Sequence, residues 1–181
     1  MPSPIAHAAA GLIVALAGEK SVARDRGLQD QAAVRIPWAF YLACMVLGAV
    51  PDLDWLLPGF HRGPTHSIGF ALLVTLAAAA VTKPATGKLN WRIALICGLA
   101  YSTHILMDWL GEDPTIRPGV AAFWPFSDRL FMSGWNLFRS TQGDNPFGPA
   151  QFEHNFRTLI QEALILGPVL LWLLWRRKKQ R

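Results

Sequence analysis

Long apolar runs separated by short polar segments dominate the pattern of hydrophobic and polar positions along the chain. Five of these runs have the length of a helix and carry few charges. Uninterrupted apolar helices are typical of membrane proteins, so the pattern predicts five membrane-spanning helices. The predicted helices cover residues 1–17, 37–50, 67–82, 91–110 and 158–175.

The composition supports a membrane location. Apolar residues make up 52% of the 181 residues and charged residues 16%, whereas charged residues make up about 25% of a typical soluble domain. Several apolar runs are shorter than the ~20 residues that cross a bilayer comfortably, so a soluble bundle of buried helices is the alternative. We expect one all-α domain over residues 1–181, a multi-span helical membrane protein. Residues 112–157, rich in Gly, Pro and aromatic residues, would form an irregular, lid-like extracytoplasmic segment.

Basic residues are distributed unevenly between the two sides of the predicted five-span topology. Twelve of the seventeen Lys and Arg residues fall on one side, and five of these lie in the tail Arg176–Arg181. Because cytoplasmic loops carry the excess of basic residues, we expect the C-terminal tail to be cytoplasmic. This membrane flank accounts for much of the net charge of +5, so we expect no nucleic-acid partner.

The segment from Val50 to Ser67 concentrates polar residues between two apolar runs. Burying an ionised group without a partner costs several kcal/mol or shifts its pKa. A metal cation pairs with several such groups at once, which makes this segment a candidate metal site. Its polar residues are Asp52, Asp54, His61, Arg62, Thr65, His66 and Ser67.

Further polar positions fall at the same predicted end of the bundle, namely His7, His104 and Asp108. His104 and Asp108 are four residues apart, so they share one face of a helix. Taken alone, His7 could be an interfacial histidine, and the His104–Asp108 pair could simply link two helices. Their coincidence at one depth favours a metal site. The predicted ligands are His7, Asp52, Asp54, His66, His104 and Asp108.

The ligand types indicate the metal and its chemistry. Histidine nitrogen combined with carboxylate oxygen suits Zn²⁺, and Mn²⁺ or Fe²⁺ less well, and six ligands allow one or two ions. The candidate catalytic residues are His61, Arg62 and Asp54. His61 would protonate a leaving group unless it is itself a ligand. Arg62 would bind a phosphate group, and its alternative role is that of an interfacial anchor.

Four motifs in this order resemble the YdjM-like family. They are H-A-A-A-G at residues 7–11, P-D-L-D at 51–54, H-R-G-P-T-H-S at 61–67 and T-H-I-L-M-D at 103–108. The resemblance implies a bacterial inner-membrane protein with metal-dependent hydrolase activity. Some members of that family are described as binding the LexA repressor, but no residue of this sequence indicates such an interaction.

A site at the lipid surface, with Trp55, Trp109 and Trp124 nearby, points to an amphiphilic partner. Membrane lipid, a lipid-linked phosphate or another phosphate ester fits these residues. We therefore predict a membrane-bound, metal-dependent hydrolase that acts at the membrane surface. The alternatives are a membrane protein that transports a metal and one whose metal only stabilises the fold.

Overall fold

Five α-helices form the architecture in the computed structural model, which describes residues 1–25, 36–56, 62–86, 89–142 and 148–179. Among these residues there is no strand, and β pairing is limited to two isolated bridges. Two short 3₁₀ turns, Val50–Leu56 and Pro64–His66, lie between the second and third helices. The prediction of an all-α membrane protein with about five helices is confirmed. The helices are α1 (Pro4–Asp25), α2 (Trp38–Ala49), α3 (Ile68–Thr86), α4 (Trp91–Leu110) and α5 (Pro149–Lys179).

Helix length separates the five helices into candidate spans and shorter elements. Within the described residues, three helical stretches are long and apolar enough to cross a membrane: Pro4–Val22 of α1, all of α4 and all of α5. Helix α3 contributes a shorter apolar stretch, Ile68–Lys83. The 12 residues of α2 cover about 18 Å, which is less than the ~30 Å hydrocarbon layer. Length and composition thus support three of the five predicted spans.

Helix α5 begins at Pro149, well before the predicted start at residue 158. Proline is favoured at the first position of a helix, where its missing N–H costs no hydrogen bond. The first turns are then supported by the 2.5 Å ion pair between Arg157 and Glu153 and by stacking of Phe152 on Phe156. The predicted irregular segment 112–157 is therefore too long, because its last residues are helical although they are polar.

Two glycines allow α1 and α2 to come into backbone contact. A Cβ on Gly11 would lie 2.1 Å from the carbonyl oxygen of Cys44, and a Cβ on Gly48 would lie 2.4 Å from the carbonyl oxygen of His7. Any larger residue would push the two helices apart. Small residues are common where membrane helices pack closely, because they let the two backbones approach. The contact brings His7 against the end of α2.

Residues 111–142, hereafter the cap segment, lie across the ends of α3 and α4. The backbone N–H of Leu137 donates to the carbonyl of Leu110 at 2.8 Å, and the N–H of Ser133 donates to that of Trp109 at 2.9 Å. At the start of α3, the N–H of Ile68 donates to the carbonyl of Ala122 at 3.0 Å. The cap segment is therefore fixed at the end of the bundle where α4 finishes and α3 begins.

Candidate metal centre

The structure gathers all six predicted ligands at one end of the bundle. Helix α1 contributes one histidine, the two 3₁₀ turns contribute two aspartates and one histidine, and the last turns of α4 contribute a histidine and an aspartate. Five of the six residues are buried and the remaining one is partly exposed. The six are His7, Asp52, Asp54, His66, His104 and Asp108.

Four of these residues form a compact group that could hold a metal ion: Asp52, His66, His104 and Asp108. Each offers one ligand atom, and the four atoms all lie within 4.8 Å of one another. His104 Nε2 lies 3.2 Å from Asp108 Oδ2 and 3.4 Å from Asp52 Oδ1. His66 Nε2 lies 3.4 Å from Asp108 Oδ2 and 3.1 Å from His104 Nε2.

The outward-facing nitrogen of each imidazole indicates which atom points into the group. His104 Nδ1 lies 2.9 Å from the carbonyl oxygen of Gly48, and His66 Nδ1 lies 3.1 Å from Asp54 Oδ2. Since both partners are acceptors, each Nδ1 is a nitrogen that carries a proton. When the imidazoles are neutral, each Nε2 presents a lone pair to the group, so that two nitrogen and two carboxylate ligands face one another.

Asp108 provides a second observation in favour of a cation. Neither of its carboxylate oxygens has a hydrogen-bond partner within the described part of the chain, although the residue is buried. Buried polar atoms are almost always hydrogen-bonded, so an unsatisfied buried carboxylate calls for an explanation. A divalent cation among the four residues would satisfy both Asp108 and the facing imidazole nitrogens, so this donor set fits a metal ion.

His7 lies at the edge of this group and outside the four-residue cluster. Its ring stacks on His104 with centroids 3.8 Å apart, and its Nε2 lies 3.3 Å from Asp108 Oδ1. The two oxygens of Asp108 therefore face different histidines, with Oδ1 toward His7 and Oδ2 toward His66 and His104. This arrangement places His7 against Asp108, on the oxygen that faces away from His66 and His104.

Asp54, predicted as both a ligand and a catalytic residue, lies behind His66 and outside the cluster of four. Besides His66 Nδ1, its Oδ2 accepts hydrogen bonds from Thr65 Oγ1 at 2.6 Å and from the backbone N–H of Arg62 at 3.0 Å. A carboxylate on the outer nitrogen of a ligand histidine fixes its tautomer and ring orientation. The geometry thus places Asp54 where it would orient His66 if His66 bound a metal ion.

Arg62 lies beside the site with its guanidinium engaged by the cap segment. Its Nη1 donates to Asp113 and to Thr115 Oγ1 at 2.7 Å, and its backbone has a positive φ of 64°. Burial alone raises the pKa of Asp113, but the hydrogen bond from Arg62 and those from Gly119 and Thr115 hold it below its ordinary value. His61 and the side chain of Trp55 lie outside the described residues.

Several contacts of the site have no signal in the sequence. The carbonyl of Gly48 orients His104, but every residue has such a carbonyl. The hydroxyl of Tyr101 donates to the carbonyl of Thr65 at 2.6 Å and holds the turn that carries His66. Tyr101 is three residues before His104, so helical periodicity could have placed it on the face of the site.

Comparison with known proteins agrees with the motifs. The sequence profile of the YdjM inner membrane protein family matches residues 1–180. The chain is similar to the inner membrane protein YbcI of Escherichia coli K12, with 28% identity over 195 residues that cover 99% of this chain and 100% of the relative. No solved structure matches the chain significantly. The match over almost the whole chain shows that the protein belongs to the YdjM inner membrane protein family.

Proposed function

We propose that this protein is a membrane-bound, metal-dependent hydrolase whose substrate carries a phosphate ester or a lipid-linked phosphate. The observation that carries the proposal is the convergence of two imidazole nitrogens and two carboxylates at one end of an apolar helical bundle. The same atoms serve in metal-dependent hydrolases, in which His and Asp residues hold a catalytic ion.

The donor set favours Zn²⁺, with Mn²⁺ and Fe²⁺ as alternatives. Two histidines and two aspartates offer the nitrogen and oxygen ligands that zinc takes in hydrolases, and His7 beside Asp108 leaves a second ion possible. A bound divalent ion would supply Lewis-acid chemistry, polarising a phosphoryl oxygen and lowering the pKa of water toward 7.

Asp52 marks the side from which a substrate would approach. Its side chain is 20% exposed, whereas the side chains of His66 and His104 are fully buried. A catalytic metal site keeps one position open, unlike a structural site. Asp54 and the carbonyl of Gly48 would hold the two imidazoles in place while a substrate enters on the side of Asp52.

Arg62 is the candidate for binding the phosphate. Its side chain is 10% exposed and its guanidinium is paired with Asp113, so the guanidinium is held near the site by the cap segment. A guanidinium binds phosphate through charge-assisted hydrogen bonds. Nε and Nη1 of Arg62 already contact Met1, Asp113 and Thr115, so Nη2 would donate to the phosphate. His61 is the proposed acid for the leaving group, on the strength of its place next to Arg62 in the sequence.

Turnover tests the proposal directly. The detergent-purified protein, loaded with zinc or with manganese, is assayed on short-chain phospholipids and a lipid diphosphate. We expect hydrolysis that disappears in Asp52→Asn and returns when metal is restored to the chelated parent. Stoichiometric metal without turnover of any of these substrates would contradict the proposal.

One observation favours a second candidate, a membrane protein with a structural metal site. Three of the four clustered residues are almost completely buried, and closed coordination is typical of structural zinc. The same assay separates the two functions, because a structural site would hold metal and stabilise the fold without turnover. A transport pathway fits less well, since the clustered residues gather at one end of the bundle and do not cross it.

The proposed orientation has the metal site outside the cytoplasm and the basic end of α5 inside. It is supported by the distribution of basic residues, four of which close α5. We expect a reporter that is active only in the periplasm to be inactive when fused after Lys179 and active when inserted after Asp128. The opposite pattern would reverse the orientation.

A further inference from the structure

The cap segment exposes large apolar side chains although it lies outside the helices. Phe126 is 95% exposed and Trp135 is 76% exposed, while Ile116 is fully exposed. Large exposed apolar surfaces mark sites that bind a protein or a membrane. The partner can be identified from the height at which the cap segment lies relative to the spanning helices.

The end of α4 fixes that height. Helix α4 is a candidate span that finishes at Leu110, so Leu110 lies near the edge of the hydrocarbon layer. The cap segment is hydrogen-bonded to this point through Ser133 and Leu137. Trp135 lies between these two anchors in the chain, and it therefore projects from the level at which acyl chains meet headgroups.

A second anchor places the aromatic turn at the same end of the bundle. Ala122 accepts a hydrogen bond from Ile68, the first residue of α3. Phe126 follows in a turn closed by its own N–H, which donates to the carbonyl of Phe123 at 2.9 Å. The cap segment is thus hydrogen-bonded to two helix ends, the start of α3 and the end of α4.

The backbone of the cap segment sets a limit on how deep it can lie. Irregular backbone does not enter the hydrocarbon region, because its unpaired N–H and C=O groups find no partners there. The cap segment pairs Val120 with Phe131 at 3.0 Å in both directions, but it forms no helix or strand. Only its side chains can therefore reach the acyl chains, as aromatic residues at membrane interfaces do.

We propose that the cap segment is a membrane-docking element whose side chains Ile116, Phe126 and Trp135 insert into the leaflet at the metal-site end. The occupant of this surface is the headgroup and upper acyl region of phospholipid. The cap segment also contacts the site, because Asp113 and Thr115 bind the guanidinium of Arg62. Resting on the proposed function, we infer that the substrate is an amphiphile still embedded in that leaflet.

Nitroxide labelling in lipid nanodiscs tests the docking. The variants Ile116→Cys, Phe126→Cys and Trp135→Cys each carry one label, and Asp128→Cys, an exposed polar position of the cap segment, is the control. The native cysteines are buried, and the parent protein is labelled in parallel to correct for any background. The discs contain phosphatidylethanolamine and phosphatidylglycerol.

The readout is the collision of each label with dissolved oxygen and with a water-soluble nickel chelate. Labels at the three apolar positions should collide more with oxygen, which concentrates in the acyl region, and the label at 128 should collide more with nickel. The docking is overturned if all three apolar positions behave like position 128. This result does not depend on activity, so it stands apart from the test of hydrolysis.

Substrate presentation tests the second part of the inference. Phe126→Ser and Trp135→Ser should lower the rate on a phosphate ester carried in vesicles by about tenfold and leave the rate on a water-soluble ester unchanged. Asp128→Ser should change neither rate. An equal loss on both esters, or no loss on either, overturns the leaflet-borne substrate. Absence of turnover by the parent would overturn both the proposed function and this substrate, while the labels would still decide the docking.

Discussion

Charged residues have different partners at the two ends of the bundle. At the basic end, Arg177 pairs with Glu19 at 3.2 Å and lies over the ring of Tyr41, whose hydroxyl donates to the same glutamate at 2.7 Å. At the metal-site end, two carboxylates and two imidazole nitrogens face one another. Charge is balanced by protein donors at the first end, whereas the described residues at the second end form a group that could hold a metal ion. The balance of donors and acceptors therefore distinguishes the candidate metal site from the ion pair at the basic end better than the number of charged residues does.

The largest effect on this difference between the two ends is expected when a candidate metal ligand is removed. His104→Ala and Asp108→Ala should each lose stoichiometric metal and lower the melting temperature, because the cluster joins α4 to the two 3₁₀ turns. Removing one partner from a buried pair of charged groups lowers the free energy of unfolding by about 3–5 kcal/mol. Metal analysis and thermal unfolding in detergent measure both effects. Full stoichiometric zinc in the double variant His7→Ala/His104→Ala would rule out the proposed site.

Replacing Arg62 should separate chemistry from metal retention. Arg62→Ala and Arg62→Lys should lower kcat/KM, since lysine cannot reproduce the planar pair of donors. The loss of one charge-assisted hydrogen bond is worth about 1.5–3 kcal/mol, or roughly one to two decades in rate. Bound metal should stay unchanged in both variants. Parental kcat/KM in both would make Arg62 an anchor for the cap segment.

Asp54→Asn should weaken metal binding without abolishing it. An amide keeps the size of the carboxylate but loses the charge that holds His66 Nδ1–H. Loss of such an outer partner typically lowers metal affinity 10–100-fold. Competition with a fluorescent zinc chelator measures this change, with Thr115→Val as a control that leaves His66 untouched. Complete loss of metal would instead identify Asp54 as a direct ligand.

The smallest effect is expected at the basic end. Glu19→Gln removes the charge opposite Arg177, but partly exposed ion pairs contribute at most about 1 kcal/mol. The melting temperature should fall by no more than about 2–4 °C, and metal content should not change. A loss of metal in this variant would mean that the two ends are coupled, and the contrast between them would fail.

The helices, and the position of the polar residues at one end of the bundle, could be predicted from the sequence because both follow from the pattern of apolar and polar residues. The spacing of His104 and Asp108 places them on one helix face, and depth along the spans brings His7 level with them. Periodicity could not separate Asp52 from Asp54, because both lie in the 3₁₀ turn and only its tertiary placement sends one inward and the other behind His66. The pairing of Arg62 with Asp113 joins residues 51 positions apart, and no local pattern encodes it.

Helix α5 shows a different limit of prediction from sequence, which concerns where a helix begins. Its first turns are polar and aromatic, and composition alone makes them resemble a loop. Their helical form depends on Pro149 at the first position and on neighbouring pairs one turn apart. A hydropathy pattern detects the apolar part of a helix and overlooks its polar first turns.

The contact between α1 and α2 has a consequence for how sequence variation in this chain should be interpreted. Gly48 touches the carbonyl of His7 on one side, and its own carbonyl orients His104 on the other. The distance between α1 and α2 at Gly48 therefore affects the positions of two imidazoles, those of His7 and His104. A methyl group at position 48, deep in an apolar sequence context, would shift both histidines at once. Variation there would act on the candidate metal ligands although Gly48 has no side chain of its own.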